Sequence, residues 1–145
     1  CSRDKVASVN PFENPLRLIG YWSGGHGGRG GGAGENLDWP DAASLVDLAW
    51  DEDERIDVGV HLKYGIVARA WMGYSPCRLC GLAANGNLDL TDGTYIWPEG
   101  LAHYVLEHSV RLPDDFVLHV RAQEEMNDHV QVDDTWWRAL GVHQP

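Results

Sequence analysis

The sequence predicts an α+β fold: a small antiparallel sheet packed by helices, with a unit of knuckle, hairpin and helix. Three observations predict it. Short alternating apolar runs near 16–22, 66–72 and 88–97 read as strands. Segments opened by acidic residues or proline and carrying spaced apolar residues read as helices. Cys77-Arg-Leu-Cys80 is followed, beyond an Asp-Gly turn, by His103 and His108. With 145 residues, 43% of them hydrophobic, one domain spanning 1–145 has enough apolar material for its own core.

Taken in order, residues 1–15 are polar, hold Pro11 and Pro15, and form a lead-in. Leu16 to Trp22 alternates as a short strand. Gly24 to Gly34 is nearly all glycine, and the entropy lost in ordering glycine predicts a flexible loop. Asp38-Trp-Pro-Asp41 opens a helix reaching Trp50, because proline suits a first turn and Asp41 suits the positive helix end. Asp51 to Glu54 gives a second helix its acidic start; it runs to Tyr64 with Gly65 as its stop, and Ile56, Val60 and Leu62 form a loose stripe. Ile66 to Met72 is a strand leading into the cysteine knuckle.

Asn85-Gly86 marks a turn, and Leu88–Thr91 and Thr94–Trp97 flank Asp92-Gly93 as a hairpin. Pro98 stands where a helix begins, Glu99 lies in its first turn, and this helix reaches about Ser109. Leu112-Pro-Asp-Asp115 starts another helix, through about Glu125. The last stretch carries Trp136-Trp137 without a readable period.

Charge narrows the partners. Eleven basic against 22 acidic residues leave a net charge of −11, which repels duplex nucleic acid and anionic membranes. No apolar run approaches the ~20 residues of a membrane span, and no signal-peptide core is visible. Two of the three cysteines form the CxxC pair, a usage that suits metal-held thiolates in a reducing, cytoplasmic setting. A Cys1-Ser2 start is compatible with a lipoprotein's mature end, which the CxxC pair argues against.

Two thiolates two residues apart and two imidazoles on a helix are the donor set of a tetrahedral zinc site, so Cys77, Cys80, His103 and His108 are the candidate ligands within a unit spanning 74–110. The pattern Cys-x2-Cys-x22-His-x4-His resembles that of C2H2 zinc fingers over residues 77–108. Its central gap departs from the family's roughly twelve residues, so it is no DNA-reading finger, and a treble-clef or ribbon-like finger is the closer analogy. One geometric objection stands. Residues five apart on a helix point about 140° from each other, so His103 and His108 meet only if the helix tightens or unwinds near His108. Otherwise Glu107 or His119 replaces one of them.

Other chemistries fit less well. A thioredoxin-type pair sits at a helix start, whereas Gly81 and an Asn-Gly turn follow this one. His103-Tyr-Val-Leu-Glu-His108 has one residue too many for the H-x-x-E-H protease motif. The glycine run lacks the Gly-Lys-Ser/Thr of a phosphate loop.

Trp97-Pro-Glu-Gly-Leu-Ala-His-Tyr-Val105 and Val110-Arg-Leu-Pro-Asp-Asp-Phe116, with Cys-Arg-x-Cys-Gly upstream, resemble a run found in small uncharacterised bacterial proteins. The resemblance covers about residues 70–120 and implies a self-contained small domain without implying an activity. The sequence therefore favours a small zinc-stabilised interaction protein with a protein partner, its metal structural and no catalytic residue assigned. One alternative is a metal-dependent enzyme using the zinc, or the glycine loop with His26 and Arg29. Another is an acidic inhibitor, of the immunity-protein kind, that covers a basic partner.

Overall fold

The computed structural model describes residues 14–23 and 38–142. The lead-in to residue 13 and the Gly24–Gly34 loop with His26 and Arg29 lie outside them. The chain divides into two units, residues 1–113 and 114–145, which are taken separately.

The described part of the first unit carries four strands and two α-helices: β1 Arg17–Leu18, α1 Glu52–Lys63, β2 Ile66–Ala70, β3 Leu88–Thr91, β4 Tyr95–Pro98 and α2 Leu101–His108. They form an α+β arrangement, a four-stranded sheet in the order β1-β4-β3-β2 packed against helices. The sheet is mixed rather than wholly antiparallel. β2–β3 and β3–β4 are antiparallel, but Arg17 pairs with Tyr95 in a parallel β1–β4 ladder. The expected strand over 16–22 shrinks to two paired residues, secured by Arg17 Nη1 donating to Tyr95 Oη at 2.9 Å.

The hairpin turns one residue later than the Asp92-Gly93 signal predicts. Leu90 faces Trp97 and Thr91 faces Ile96, a register centred on Gly93-Thr94. The side chains decide it. Asp92 Oδ1 accepts the amides of Thr94 at 2.9 Å and Tyr95 at 2.8 Å, while Thr91 Oγ1 donates to the Tyr95 carbonyl at 2.7 Å. These local bonds offer the backbone an alternative to the two-residue turn. The shift moves each partner by two residues, so every side chain keeps its face.

Three helix expectations need correction. The segment after Asp41 forms only a 3-10 turn, Ala42–Leu45, because Val46 leaves it to bridge Val110. The amides of Asp47 and Arg111 then donate to the carbonyls of Ser109 and Leu45. Pro98 ends β4 opposite Asp89 rather than starting α2, whose N-cap is Gly100. α1 begins as read, with Asp51 accepting from the Glu54 amide, but Gly65 is not a left-handed stop. It is needed for space: a Cβ there would lie 2.8 Å from Trp97 and 2.9 Å from Leu90.

The core sits between the sheet and the two helices. Trp97, Leu62, Leu101, Val105 and Val110 are fully buried, and Trp97 Nε1 donates to the Leu62 carbonyl at 3.0 Å. α1 and α2 lie close together, with Gly59 against the Leu106 side chain and Arg55 donating to the Leu106 carbonyl. Asp89 is a buried carboxylate among this apolar material. It accepts from Tyr21 Oη, from Arg69 Nε at 3.0 Å and Nη2 at 2.9 Å, and from Trp71 Nε1 at 2.8 Å. Burial, then the negative Asp89, raise the Tyr21 pKa above the ordinary tyrosine value, so the phenol stays a donor.

The second unit holds α3 Asp114–Asp128 and α4 Thr135–Val142. Asp114 and Asp115 occupy the first turn of α3, where the helix dipole favours them, and Phe116, Val117 and Val120 are its buried residues. α4, unread in the sequence, is started by Asp133 accepting the Thr135 amide at 2.9 Å. It leaves Trp136 and Trp137 74% and 69% exposed. No helix among the described residues is long and apolar enough to cross a membrane.

Candidate metal centre

The site grows out of a tight knuckle. The Cys77 amide donates to the Leu82 carbonyl at 2.8 Å, and the Gly81 amide donates back to the Cys77 carbonyl at 2.9 Å. The Leu79 amide points at Cys77 Sγ, 3.4 Å away. Closing this loop puts Gly81 at φ 74°, the left-handed region where a side chain is strained. Both thiols thereby share one side of the turn.

Bonds independent of any ion hold the knuckle against α2. The Arg78 amide donates to Tyr104 Oη at 2.9 Å, and Arg78 Nη1 donates to the Trp22 carbonyl at 3.1 Å and to the Ser23 carbonyl. Asn85 Nδ2 donates to the Gly100 carbonyl at 3.3 Å, fixing the loop to the start of the helix.

α2 resolves the objection about its two histidines at its C-terminal end. The Tyr104 carbonyl accepts the amides of Ser109 and Val110, five and six residues on, so the last turn opens wide. On so wide a turn, residues five apart come back toward one side. Ser109 then terminates the helix in the left-handed conformation, φ 53°. The imidazoles of His103 and His108 consequently meet, with ring centroids 4.9 Å apart and Nε2 atoms 3.2 Å apart.

The structure brings all four candidate residues together. One donor atom from each of Cys77, Cys80, His103 and His108 lies within 4.8 Å of the others, able to hold a metal ion. Cys80 Sγ stands 3.3 Å from His103 Nε2. Bonds of 2.0–2.1 Å to nitrogen and about 2.3 Å to sulfur give a tetrahedral ion N···N edges of about 3.3 Å and S···N edges of about 3.5 Å. The observed separations of 3.2 and 3.3 Å are close to those edges. Glu107, the alternative ligand, is an exposed neighbour outside the group, and His119 belongs to the second unit.

The electrostatics suit ligation. Burial, then the charge of His108, lower the His103 pKa against the opposing pull of Glu107, so its imidazole stays neutral with a lone pair to offer. Burial raises the pKa of Tyr104, and the adjacent Cys77 raises it further, so its hydroxyl keeps the proton that it shares with that sulfur. Sequence reasoning missed Tyr104 and Arg78. Tyr104 sits beside His103, and its place one helical turn before His108 was the available signal. Nothing in the sequence marks Arg78, the first x of CxxC, as a clamp. Searches of protein-family models, curated proteins and solved structures found no match to this chain.

Proposed function

We propose that the chain is a small zinc-stabilised interaction protein in which Zn2+ is held by Cys77, Cys80, His103 and His108. The observation that carries this reading is the convergence of those four donors within 4.8 Å of one another, with two of their separations near tetrahedral edges. Two sulfurs and two nitrogens are the donor set zinc favours, since it combines thiolate and imidazole without a redox demand. Four protein ligands leave no open position for water or substrate, so the ion's work in this reading is structural. The ion joins the knuckle to the far end of α2, two elements otherwise linked through Tyr104 and Asn85.

The interaction role draws on composition. A net charge of −11 favours a basic partner, and the exposed Trp136 and Trp137 are of the residue type that anchors protein interfaces. The thiolate pair fits a reducing compartment, the cytoplasm.

Elemental analysis of the purified chain tests the metal, with an expected content of about one zinc per chain. Replacing it with cobalt should give intense tetrahedral bands and thiolate-to-metal charge transfer counting two sulfurs. Cys77→Ser should lose the ion and lower the thermal midpoint. An unchanged metal content in that variant ends the reading.

A further inference from the structure

Cys77 and Cys80 are chemically alike but unequal in setting. Cys77 is 2% exposed, with the Leu79 amide 3.4 Å from its sulfur and Tyr104 beside it. Cys80 is exposed, its sulfur against His103. A metal-bound thiolate stays deprotonated and nucleophilic, and oxidation selects the thiolate that solvent reaches. A backbone amide aimed at sulfur also withdraws electron density from Cys77.

We propose that Cys80 is an oxidative modification site: its thiolate attacks peroxide, a Cys77–Cys80 disulfide closes, and the ion is expelled. This rests on the zinc reading above. In the first step Cys80 Sγ attacks one oxygen of hydrogen peroxide, the O–O bond breaks, hydroxide leaves and Cys80 becomes a sulfenic acid. In the second, Cys77 Sγ, within 4.8 Å of Cys80 Sγ, attacks that sulfur. The S–S bond forms, the S–O bond breaks and a second hydroxide leaves. Peroxide has gained two electrons, one from each thiolate, and two protons from solvent turn the hydroxides into water. Two imidazoles alone then hold the ion, too few to keep it.

The knuckle outlasts the loss. Arg78 holds Tyr104 Oη and the Trp22 carbonyl, and the Cys77 amide holds the Leu82 carbonyl, with bonds no ion mediates. Reduction therefore returns the thiols to an assembled pocket, and the change is reversible.

The test uses the full zinc-loaded chain, its metal content measured first, then stepwise hydrogen peroxide with released zinc read by a chromophoric chelator. About one zinc per chain should be released as the peptide carrying both thiols loses about two mass units, and dithiothreitol with zinc should reverse both. Peptide mapping separates this pair from Cys1. Limiting iodoacetamide should label Cys80 at least ~10-fold faster than Cys77. The proposal is overturned if zinc and both thiols survive a dose that oxidises free cysteine, or if Cys77 is labelled first. A chain without zinc before any peroxide is added fails the metal reading itself, and this proposal with it.

Discussion

Tyr104 carries more of the site than its position between the ligands suggests. Its ring packs edge-on against Trp22 with centroids 5.5 Å apart, its hydroxyl accepts the Arg78 amide at 2.9 Å, and the same hydroxyl serves Cys77. Tyr104→Phe keeps the ring and removes the oxygen, stranding a knuckle amide and taking the hydroxyl from the buried sulfur. A lost hydrogen bond of this kind costs about 1–2 kcal/mol of stability. Removing an outer partner of a ligand also weakens metal binding by about 10-fold or more. Denaturant unfolding with zinc bound checks the first expectation, and competition with a chelator of known affinity checks the second. Unchanged zinc affinity in Tyr104→Phe would reduce the residue to packing.

Ser109 is the second informative residue, since α2 ends on it with φ 53° and no glycine to ease the turn. Ser109→Gly should stabilise the protein by about 0.5–1 kcal/mol by relieving the left-handed strain. The thermal midpoint should rise by a few degrees with zinc affinity unchanged. A fall in midpoint would mean that the serine side chain supports the cap.

At the scale of elements, the proposed ion should matter more to the knuckle than to the hairpin or α2. The sequence alone groups knuckle, hairpin and helix over residues 74–110 as a single zinc-binding unit. Trp97, Leu101 and Val105 are fully buried, however, so β4 and α2 share the core with α1 whatever happens at the cysteines. Chelation should accordingly speed hydrogen exchange at the amides of Cys77 and Gly81, whose bonds still form but open more often, while exchange in the β3–β4 ladder stays unchanged. Exchange measured by mass spectrometry, with and without chelator, decides this. Loss of protection across both segments together would restore the single-piece view.

The same contrast explains what could be read beforehand. That Cys77, Cys80, His103 and His108 come together was legible because CxxC and paired histidines are local patterns tied to one chemistry. α1 was legible from its acidic start, and the hairpin from Asp92-Gly93. The turn's register was not, since Asp92 and Thr91 capture neighbouring amides through side chains while preserving the face pattern. Nor was the parallel β1–β4 pair, because two residues carry no directional signal. The short turn after Asp41 was misread because Val46 is claimed by Val110, a partner 64 positions away that no local propensity reveals.

For the molecule as a whole, acid acts on the fold and on the ion in the same direction. His103 is held below the ordinary histidine pKa by burial and by His108, so the folded, metal-free chain resists protonating it. The unfolded chain, with histidine titrating near 6.5, takes up that proton more readily. Wherever the unfolded state binds more protons, stability rises with pH, so this contribution is intact above the unfolded value and lost as pH falls below it. With zinc bound the effect steepens, because protons compete with the ion for both imidazoles and both thiolates. Calorimetry from neutral to mildly acidic pH should therefore find a flat thermal midpoint at the neutral end and a decline on acidification, larger for the zinc form, with zinc release in step. If the two forms decline in parallel, the ion is not competing with protons at these four residues, and the donors must be sought elsewhere in the chain.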